Sequence, residues 1–158
     1  MTADDLIANY ALAPHPEGGW YRRVYTATLL VSEGARERPA VTSIVYLLRA
    51  GETSRWHRVR CDELWHFYGG APLELLRADA ALERVEQLRL GVMDARDAAL
   101  MHPIAAGGWQ AARSTGAYSL MGCSVAPGFA FEDFTLLADA PQWAARLRAR
   151  WPQYAEFM

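Results

Sequence analysis

Short runs of β-branched and aromatic residues, separated by glycine, proline and polar turns, constrain most strongly how this chain can fold. Strands are predicted at residues 20–31, 41–49, 54–60, 63–68, 72–77, 82–90, 109–113, 117–126 and 129–137. The polar segment 32–39 is typical of a hairpin loop, and residues 94–100 are compatible with a helical turn. Because no other connection has room for a helical crossover, the strands are predicted to pair antiparallel in a β-sandwich or barrel.

A short helix is predicted at each end of the chain. Thr2 can cap a helix over residues 2–9, and Asp5 stands three positions later as in a capping box. Near the other end, Trp143, Leu147 and Trp151 are spaced four apart and predict one apolar helical stripe, which Pro152 ends. The 158 residues are predicted to form a single domain, 1–158.

Composition argues against several classes of partner. The formal net charge is −2 and the pI is about 6.1, so the overall charge does not favour nucleic acid or an anionic membrane. The first residues lack the pattern of a secretory signal, and no apolar run is long enough to span a bilayer. Cys61 and Cys123 form no CxxC pair, which suits a reducing compartment, and we expect the protein to be cytoplasmic.

Residues 51–70, GETSRWHRVRCDELWHFYGG, carry the densest set of ionisable side chains. Gly51, His57, Glu63 and Gly70 are spaced as in the first sequence motif of the cupins, G-x5-H-x-H-x3-4-E-x6-G, which this stretch resembles. The segment HPIAAGGWQAA is a weaker echo of the second cupin motif, in which Gln110 stands at the histidine position.

The chain as a whole resembles the cupin-5 branch of that superfamily, a domain of unknown function (DUF985). Five blocks carry the resemblance: HPEGGWYRRVY, SIVYLL, RWHRVRCDELWHFYGGAPLEL, GGWQAA and GCSVAPGFAFEDF. The resemblance implies an all-β fold, the double-stranded β-helix jelly-roll (cupin) barrel, here with short N- and C-terminal helices. It also implies a homodimer and a small-molecule pocket in the barrel mouth, but not one particular reaction.

Two departures bear on whether a metal binds. The second histidine of the first motif is Val59 here, and the histidine of the second motif is Gln110. A metal, if bound, would be held by His57, Glu63 and Gln110, and a neutral amide oxygen is a poor ligand for transition metals. We therefore predict no resident cofactor, with a loosely held divalent metal as the alternative.

Strand periodicity places two of these residues in one pocket. His57 and Val59 share a strand face, and Glu63 shares the next strand's face with Trp65, while His66 points the other way. A buried carboxylate has a raised pKa, so a His57–Glu63 pair can move a proton near neutral pH. Sugar-nucleotide epimerases with the same jelly roll use a histidine base with a carboxylate partner and a tyrosine acid. The competing interpretation is a pair that only stabilises a hairpin.

Aromatic residues complete the predicted site. Tyr118 is the candidate catalytic acid and Tyr46 a candidate substrate contact, because each is predicted near a strand region that can reach the pocket. Trp65 and Trp109 are predicted to form walls on which a sugar ring packs, and Gln110 to orient the substrate. Each aromatic residue has the alternative of being an ordinary core or rim residue.

Two further acidic residues are predicted substrate contacts. Glu17 follows His15–Pro16 and precedes two glycines, so it can close the pocket with Arg22 or Arg23 facing a polar ligand. Asp133, in PGFAFEDF, can close the pocket or pair with an arginine. For Glu17 the alternative is a solvated strand entry.

Three functions remain open from the sequence. The first is a metal-independent acid–base isomerase or epimerase acting on a sugar or a related hydroxy or keto compound. The second is a binder that uses the same pocket without catalysis. The third is a weakly metal-dependent enzyme using Fe, Mn or Zn.

Overall fold

The computed structural model describes residues 1–92 and 97–158. The chain begins with α1 (Ala3–Asn9), continues through fourteen strands within the described residues, and ends with α2 (Pro141–Arg150). The strands are β1 (Ala13–Pro14), β2 (Trp20–Thr26), β3 (Leu30–Glu33), β4 (Arg36–Pro39), β5 (Thr42–Arg49), β6 (Thr53–Arg58), β7 (Asp62–Gly70), β8 (Leu73–Ala78), β9 (Val85–Leu90), β10 (Ala98–Ala99), β11 (Met101–Ile104), β12 (Trp109–Ser114), β13 (Tyr118–Ala126) and β14 (Thr135–Leu136). Three 3-10 helices cover Phe131–Asp133, Leu137–Asp139 and Pro152–Phe157.

The strands form two six-stranded sheets that enclose the core. One sheet has the order β1-β2-β5-β13-β7-β11 and the other the order β10-β9-β8-β12-β6-β14, while β3 and β4 pair as a separate hairpin. All the pairings are antiparallel except that of β9 with β10. The chain passes from one sheet to the other between β6 and β7, so side chains of these two strands meet across the interior. This is the predicted jelly-roll fold.

The predicted helix ends are confirmed. Thr2 Oγ1 accepts the Asp5 backbone N–H at 3.2 Å, and Asp5 Oδ2 accepts the Thr2 backbone N–H at 2.7 Å, which completes the capping box. At the other end, Trp143, Leu147 and Trp151 all pack on the core cluster that covers one sheet. α2 stops before Pro152, whose fixed φ begins a 3-10 helix.

Three segments differ from the predictions. The strand predicted at 20–31 breaks after Thr26, and the predicted loop 32–39 is largely the β3–β4 hairpin. That hairpin carries a charge that sequence patterning does not reveal as buried: Arg38 is 5% exposed and its Nη2 lies 2.6 Å from Asp133 Oδ2. Residues 129–137 form two 3-10 turns and the short β14, because their aromatic side chains cluster instead of alternating across a sheet.

The helical turn predicted at 94–100 lies partly outside the described residues, and Ala98–Ala99 within it form β10. No helix in the described part of the chain is long and apolar enough to cross a membrane.

Candidate functional site

A pocket opens between the two sheets, and its lining includes the buried Glu17, His57 and Glu63. Its cavity volume is about 30 Å³, so the pocket is narrow in this structure. The polar and ionisable lining residues are His15, Glu17, Tyr21, Arg23, Thr42, His57, Glu63 and Cys123. Aliphatic residues and the rings of Phe129 and Phe134 form the remaining wall.

The turn before β2 aims Glu17 into this pocket. The His15 backbone N–H donates to Gly19 O at 3.0 Å and the Gly18 N–H donates to His15 O at 2.9 Å, so the chain folds back tightly. Gly18 has φ +113°, and a Cβ there would stand 2.1 Å from Thr53 O, so only glycine fits. The Arg55 N–H then donates to Glu17 O at 2.9 Å, which ties the turn to β6.

Glu17 meets two histidines at one carboxyl oxygen. Its Oε2 lies 3.2 Å from His57 Nε2 and 3.3 Å from His15 Nδ1, while Oε1 accepts the Ser54 hydroxyl at 2.8 Å. Glu17 is 6% exposed and His57 is 2% exposed. The sequence indicates Glu17 only as a contact at the pocket edge, but the structure places it beside His57 in the interior.

The hydrogen bonds of the two imidazoles define where a proton must sit. His57 Nδ1 lies 2.7 Å from the carbonyl oxygen of Arg55, which can only accept, so Nδ1 carries a hydrogen. His15 Nδ1 accepts the Glu17 backbone N–H at 3.3 Å. In the neutral imidazoles, two lone pairs therefore face Glu17 Oε2, and an ionised carboxylate there would meet only acceptors. One dissociable proton shared at Oε2 resolves this conflict.

Burial acts on these groups in the direction that favours their neutral forms. It raises the pKa of Glu17 above 4.5, although the neighbouring His15 opposes the shift. It lowers the pKa of His57 and of His15 below 6.5, with nearby carboxylates opposing. The carboxylic acid and the two neutral imidazoles thus become the favoured arrangement as the pocket excludes water.

Glu63 enters the pocket from the opposite sheet. Burial raises its pKa from 4.5 to about 7, while His57 lowers it. Gln110 Nε2 donates to Glu63 Oε2 at 2.5 Å, and the Trp65 indole N–H donates to Gln110 Oε1 at 2.7 Å. Because the indole can only donate, the Gln110 amide must turn its nitrogen toward Glu63. Glu63 is therefore a carboxyl that Gln110 fixes in position and whose pKa lies near neutral pH.

This arrangement does not fit the predicted metal ligands. The Gln110 oxygen is bound to Trp65 and its nitrogen faces Glu63, while His57 Nε2 is directed at Glu17. In residues 1–92 and 97–158, no group of three or more His, Cys, Asp or Glu side chains is arranged to hold a metal ion. The proposed acid–base reaction therefore involves no metal ion.

Several predicted contacts lie elsewhere in the fold. Tyr46 is buried beside the pocket, and its hydroxyl donates to Gly18 O at 2.7 Å, so it supports the turn that carries Glu17. Tyr118 packs with the cluster under α1, and Trp109 packs against Trp143 under α2. Asp133 pairs with Arg38 behind the pocket wall. None of the last three is among the residues that line the pocket.

Sequence patterns do not identify His15 and Ser54 as contacts of the Glu17 carboxyl. Nothing in strand periodicity singles them out, since His15 precedes the first long strand and Ser54 is one of many hydroxyls. The only signal in the sequence is the pair of glycines after Glu17, which indicates a sharp turn. Cys123, interpreted as core, is indeed buried, but it also lines the pocket.

Comparison with known proteins supplies a family context. The sequence model of the Cupin_5 family, described as "Cupin superfamily (DUF985)", matches residues 4–137. No curated protein matches the chain.

Solved structures with the same overall fold include two of similar length. A hypothetical protein from Leishmania major is 27% identical with a TM-score of 0.85, and the match covers 98% of this chain and 95% of that one. A protein from Shewanella oneidensis is 31% identical with a TM-score of 0.84, covering 99% and 94%. Oxalate decarboxylase from Bacillus subtilis is 12% identical with a TM-score of 0.61, covering 88% of this chain and 34% of that one, a likeness of fold alone.

Proposed function

We propose that this chain, which belongs to the Cupin_5 family (DUF985) of the cupin superfamily, is an acid–base isomerase or epimerase of a sugar or a related hydroxy or keto compound. The observation that carries the proposal is the contact of Glu17 Oε2 with His57 Nε2 at 3.2 Å and with His15 Nδ1 at 3.3 Å. Three titratable groups hold one movable proton in a narrow pocket between the two sheets.

The proposed reaction begins with the removal of a proton from the carbon beside a carbonyl group. The Glu17–His57 pair, after losing its shared proton, takes the substrate proton, and the C–H electrons form a carbon–carbon double bond. The carbonyl π electrons move to its oxygen, which receives a proton from Glu63. A carboxyl with a pKa of about 7 is suited to this role, because it is partly protonated at neutral pH.

The same groups complete the reaction in reverse. In the isomerisation, the pair returns its proton to the former carbonyl carbon, and Glu63 takes the hydroxyl proton of the adjacent carbon, whose oxygen becomes the new carbonyl. In the epimerisation, a water molecule on the opposite face protonates the original carbon, Glu63 takes back the enol proton, and the pair gives its proton to the hydroxide that forms. His15 accepts a hydrogen bond from the Glu17 backbone N–H at 3.3 Å, so it helps to orient the carboxyl while the proton moves. The aromatic wall of Phe129 and Phe134 lowers the access of water.

Exchange of substrate hydrogen for solvent deuterium tests the proposal even when the product is unidentified. We would incubate the protein in D2O with small aldoses, ketoses and hydroxy acids and follow the loss of each C–H signal by proton NMR. We expect exchange at one carbon, abolished by Glu17→Gln and by His57→Gln. His66→Gln is the matched control, because His66 lies on β7 near Glu63 but does not line the pocket. Exchange that persists in Glu17→Gln would contradict the proposal. So would the absence of exchange by the wild-type protein with every compound tested.

One observation favours a non-catalytic binder as the second candidate. Both oxygens of Glu17 and both ring nitrogens of His57 already contact protein atoms. A pocket that satisfies its own polar groups can recognise a ligand without reacting with it. In that case the protein binds a compound of the panel, as line broadening shows, but exchanges none of its hydrogens.

A further inference from the structure

We propose that the substrate of this pocket carries an anionic group, a carboxylate or a phosphate, and that Arg23 at the pocket mouth binds it. This inference rests on the proposed function, which describes the reacting carbon of the substrate. It adds that the substrate belongs to the anionic compounds. It follows from the position of Arg23, from its lack of a carboxylate partner among the described residues, and from the charges deeper in the pocket.

Arg23 faces the pocket because of its register in β2. It lies opposite Ile44 of β5, and both residues line the pocket, whereas Arg22 lies opposite Val45 and points to the other face of the sheet. The Arg23 side chain is exposed at the mouth, with its guanidinium 5.8 Å from the centre of the Phe129 ring. Its one hydrogen bond within the described residues, from Nη2 to Phe129 O, is long at 3.5 Å.

The guanidinium of Arg23 is thus placed by a ring and a carbonyl, and not by an acid. Of the residues that line the pocket, it is the one Arg or Lys, and no described carboxylate forms an ion pair with it. Arg38, Arg77 and Arg113 are paired with acids. Arg22 and Arg58 form no ion pair with a described carboxylate either, and what distinguishes Arg23 from them is its place in the pocket lining. A guanidinium fork with open donors is suited to a planar carboxylate or a phosphate oxygen pair.

The acids in the interior of the pocket favour an anion-binding group at the mouth. Glu17 and Glu63 are the acids within the lining, so a ligand anion placed beside them would be repelled whenever either one ionises. A cation at the mouth holds the anionic end away from both carboxyls and presents the other end of a short molecule to Glu17 and His57. The order of groups from mouth to interior is then anion, hydroxyl or carbonyl, and reacting carbon.

Binding of matched neutral and anionic probes tests this inference separately from catalysis. The probes are lactate against lactamide and glycerol 3-phosphate against glycerol, titrated into the full-length protein with the His15 and His57 ring signals followed by NMR. We expect at least one anion to bind about tenfold or more tightly than its neutral counterpart, as a charge-assisted hydrogen bond provides. Arg23→Gln is expected to remove this difference, and Arg22→Gln, the neighbour on the other face, to retain it.

The outcomes distinguish this inference from the function on which it rests. A preference for the anion that depends on Arg23, without deuterium exchange of any compound, supports the anion site and contradicts the enzyme. Exchange of neutral compounds alone, unaffected by Arg23→Gln, supports the enzyme and overturns the anion site. Equal binding of each pair, no binding of either anion, or a preference that survives Arg23→Gln also overturns it. The phosphate and carboxylate arms identify which of the two anions the mouth accepts.

Discussion

The Glu17 carboxyl has a different neighbour on each oxygen, and this division explains its behaviour. Ser54 donates to Oε1, which lowers the pKa of Glu17, and His15 beside Oε2 lowers it as well, whereas burial raises it. The hydroxyl of Ser54 therefore works against burial. A lower pKa of Glu17 favours the release of a proton that the proposed reaction requires.

Ser54→Ala removes the hydrogen bond that lowers the pKa of Glu17, so that pKa is expected to rise further. The acidic limb of the rate-against-pH profile should move to higher pH, and the deuterium exchange rate at neutral pH should fall by about fivefold, the equivalent of about 1 kcal/mol. Ser43→Ala is the control, because the Ser43 hydroxyl bonds Ser124, 2.8 Å away and outside the pocket. An unchanged profile in Ser54→Ala would show that the hydroxyl has a packing role only.

Glu63 gives the stability of the protein a dependence on pH. Its pKa is about 7 when folded and near 4.5 when unfolded, so between these values the folded state binds more protons. Its contribution is fully present below about pH 4.5 and is lost as the pH rises to about 7. His57, with a lowered pKa, acts in the opposite direction over part of that range.

The contribution of Glu63 to the unfolding free energy is therefore measured as the difference between the wild type and Glu63→Gln. We expect the unfolding free energy of the wild type, minus that of Glu63→Gln, to decrease as the pH rises from about 4.5 to about 7, as urea titrations would report. A difference that stays level across this range, or that increases, would contradict a raised pKa for Glu63.

The elements that build the pocket come from both sheets and from the turn that precedes β2. β6 supplies His57 and β7 supplies Glu63, while the turn at residues 15–19 crosses above β6 and is fastened to it by the Arg55–Glu17 backbone hydrogen bond. The geometry of the site thus depends on how closely this turn approaches Thr53. The fit at Gly18 is the most restrictive point.

Gly18→Ala tests that close approach against a matched glycine. A Cβ at position 18 would stand 2.1 Å from Thr53 O, whereas a Cβ at Gly51, also at positive φ, meets nothing within 4 Å. Gly51→Ala is expected to lower the unfolding free energy by about 1–2 kcal/mol, from backbone strain alone. Gly18→Ala should cost about 1–3 kcal/mol more, since the turn must move, and should weaken deuterium exchange as Glu17 shifts. Equal losses in the two variants would mean that the turn is not held tightly.

For the whole molecule, the unpaired surfaces of the sheets determine how copies can associate. Leu64 and Tyr68 of β7 and Met101 of the neighbouring edge strand β11 are exposed apolar side chains. The register of β7 and β11 places Leu64 and Met101 on one sheet face, outside the pocket. An exposed apolar face beside an edge strand is a common site of association.

We expect this chain to be a homodimer that uses this face. Size-exclusion chromatography with light scattering should give about twice the mass of the 17.6 kDa chain. Met101→Lys combined with Leu64→Lys should shift the protein toward the monomer while leaving deuterium exchange measurable, because neither residue lines the pocket. A stable monomer in the wild type would contradict the expectation.

Much of the architecture is predictable because it depends on local patterns. The capping box at Thr2 and the four-residue spacing of Trp143, Leu147 and Trp151 need only neighbouring positions to be interpreted. The strands of the β3–β4 hairpin are not predictable from local patterns. Arg38 lies in a polar segment that is typical of a loop, and only the structure shows that it is buried with Asp133, which is distant in the sequence. Strand position alone assigns Tyr118 to the pocket, but the strand face it occupies packs under α1.

The sequence by itself determined the central strands and the inward direction of His57 and Glu63, because a period of two residues decides which side chains share a face. Only the tertiary structure decided that Glu17 meets His57 and His15 at one oxygen. That contact depends on the path of a glycine turn over β6, and a path in space is set by the packing of distant strands. The raised pKa of Glu17 is a consequence of burial, which no local pattern contains.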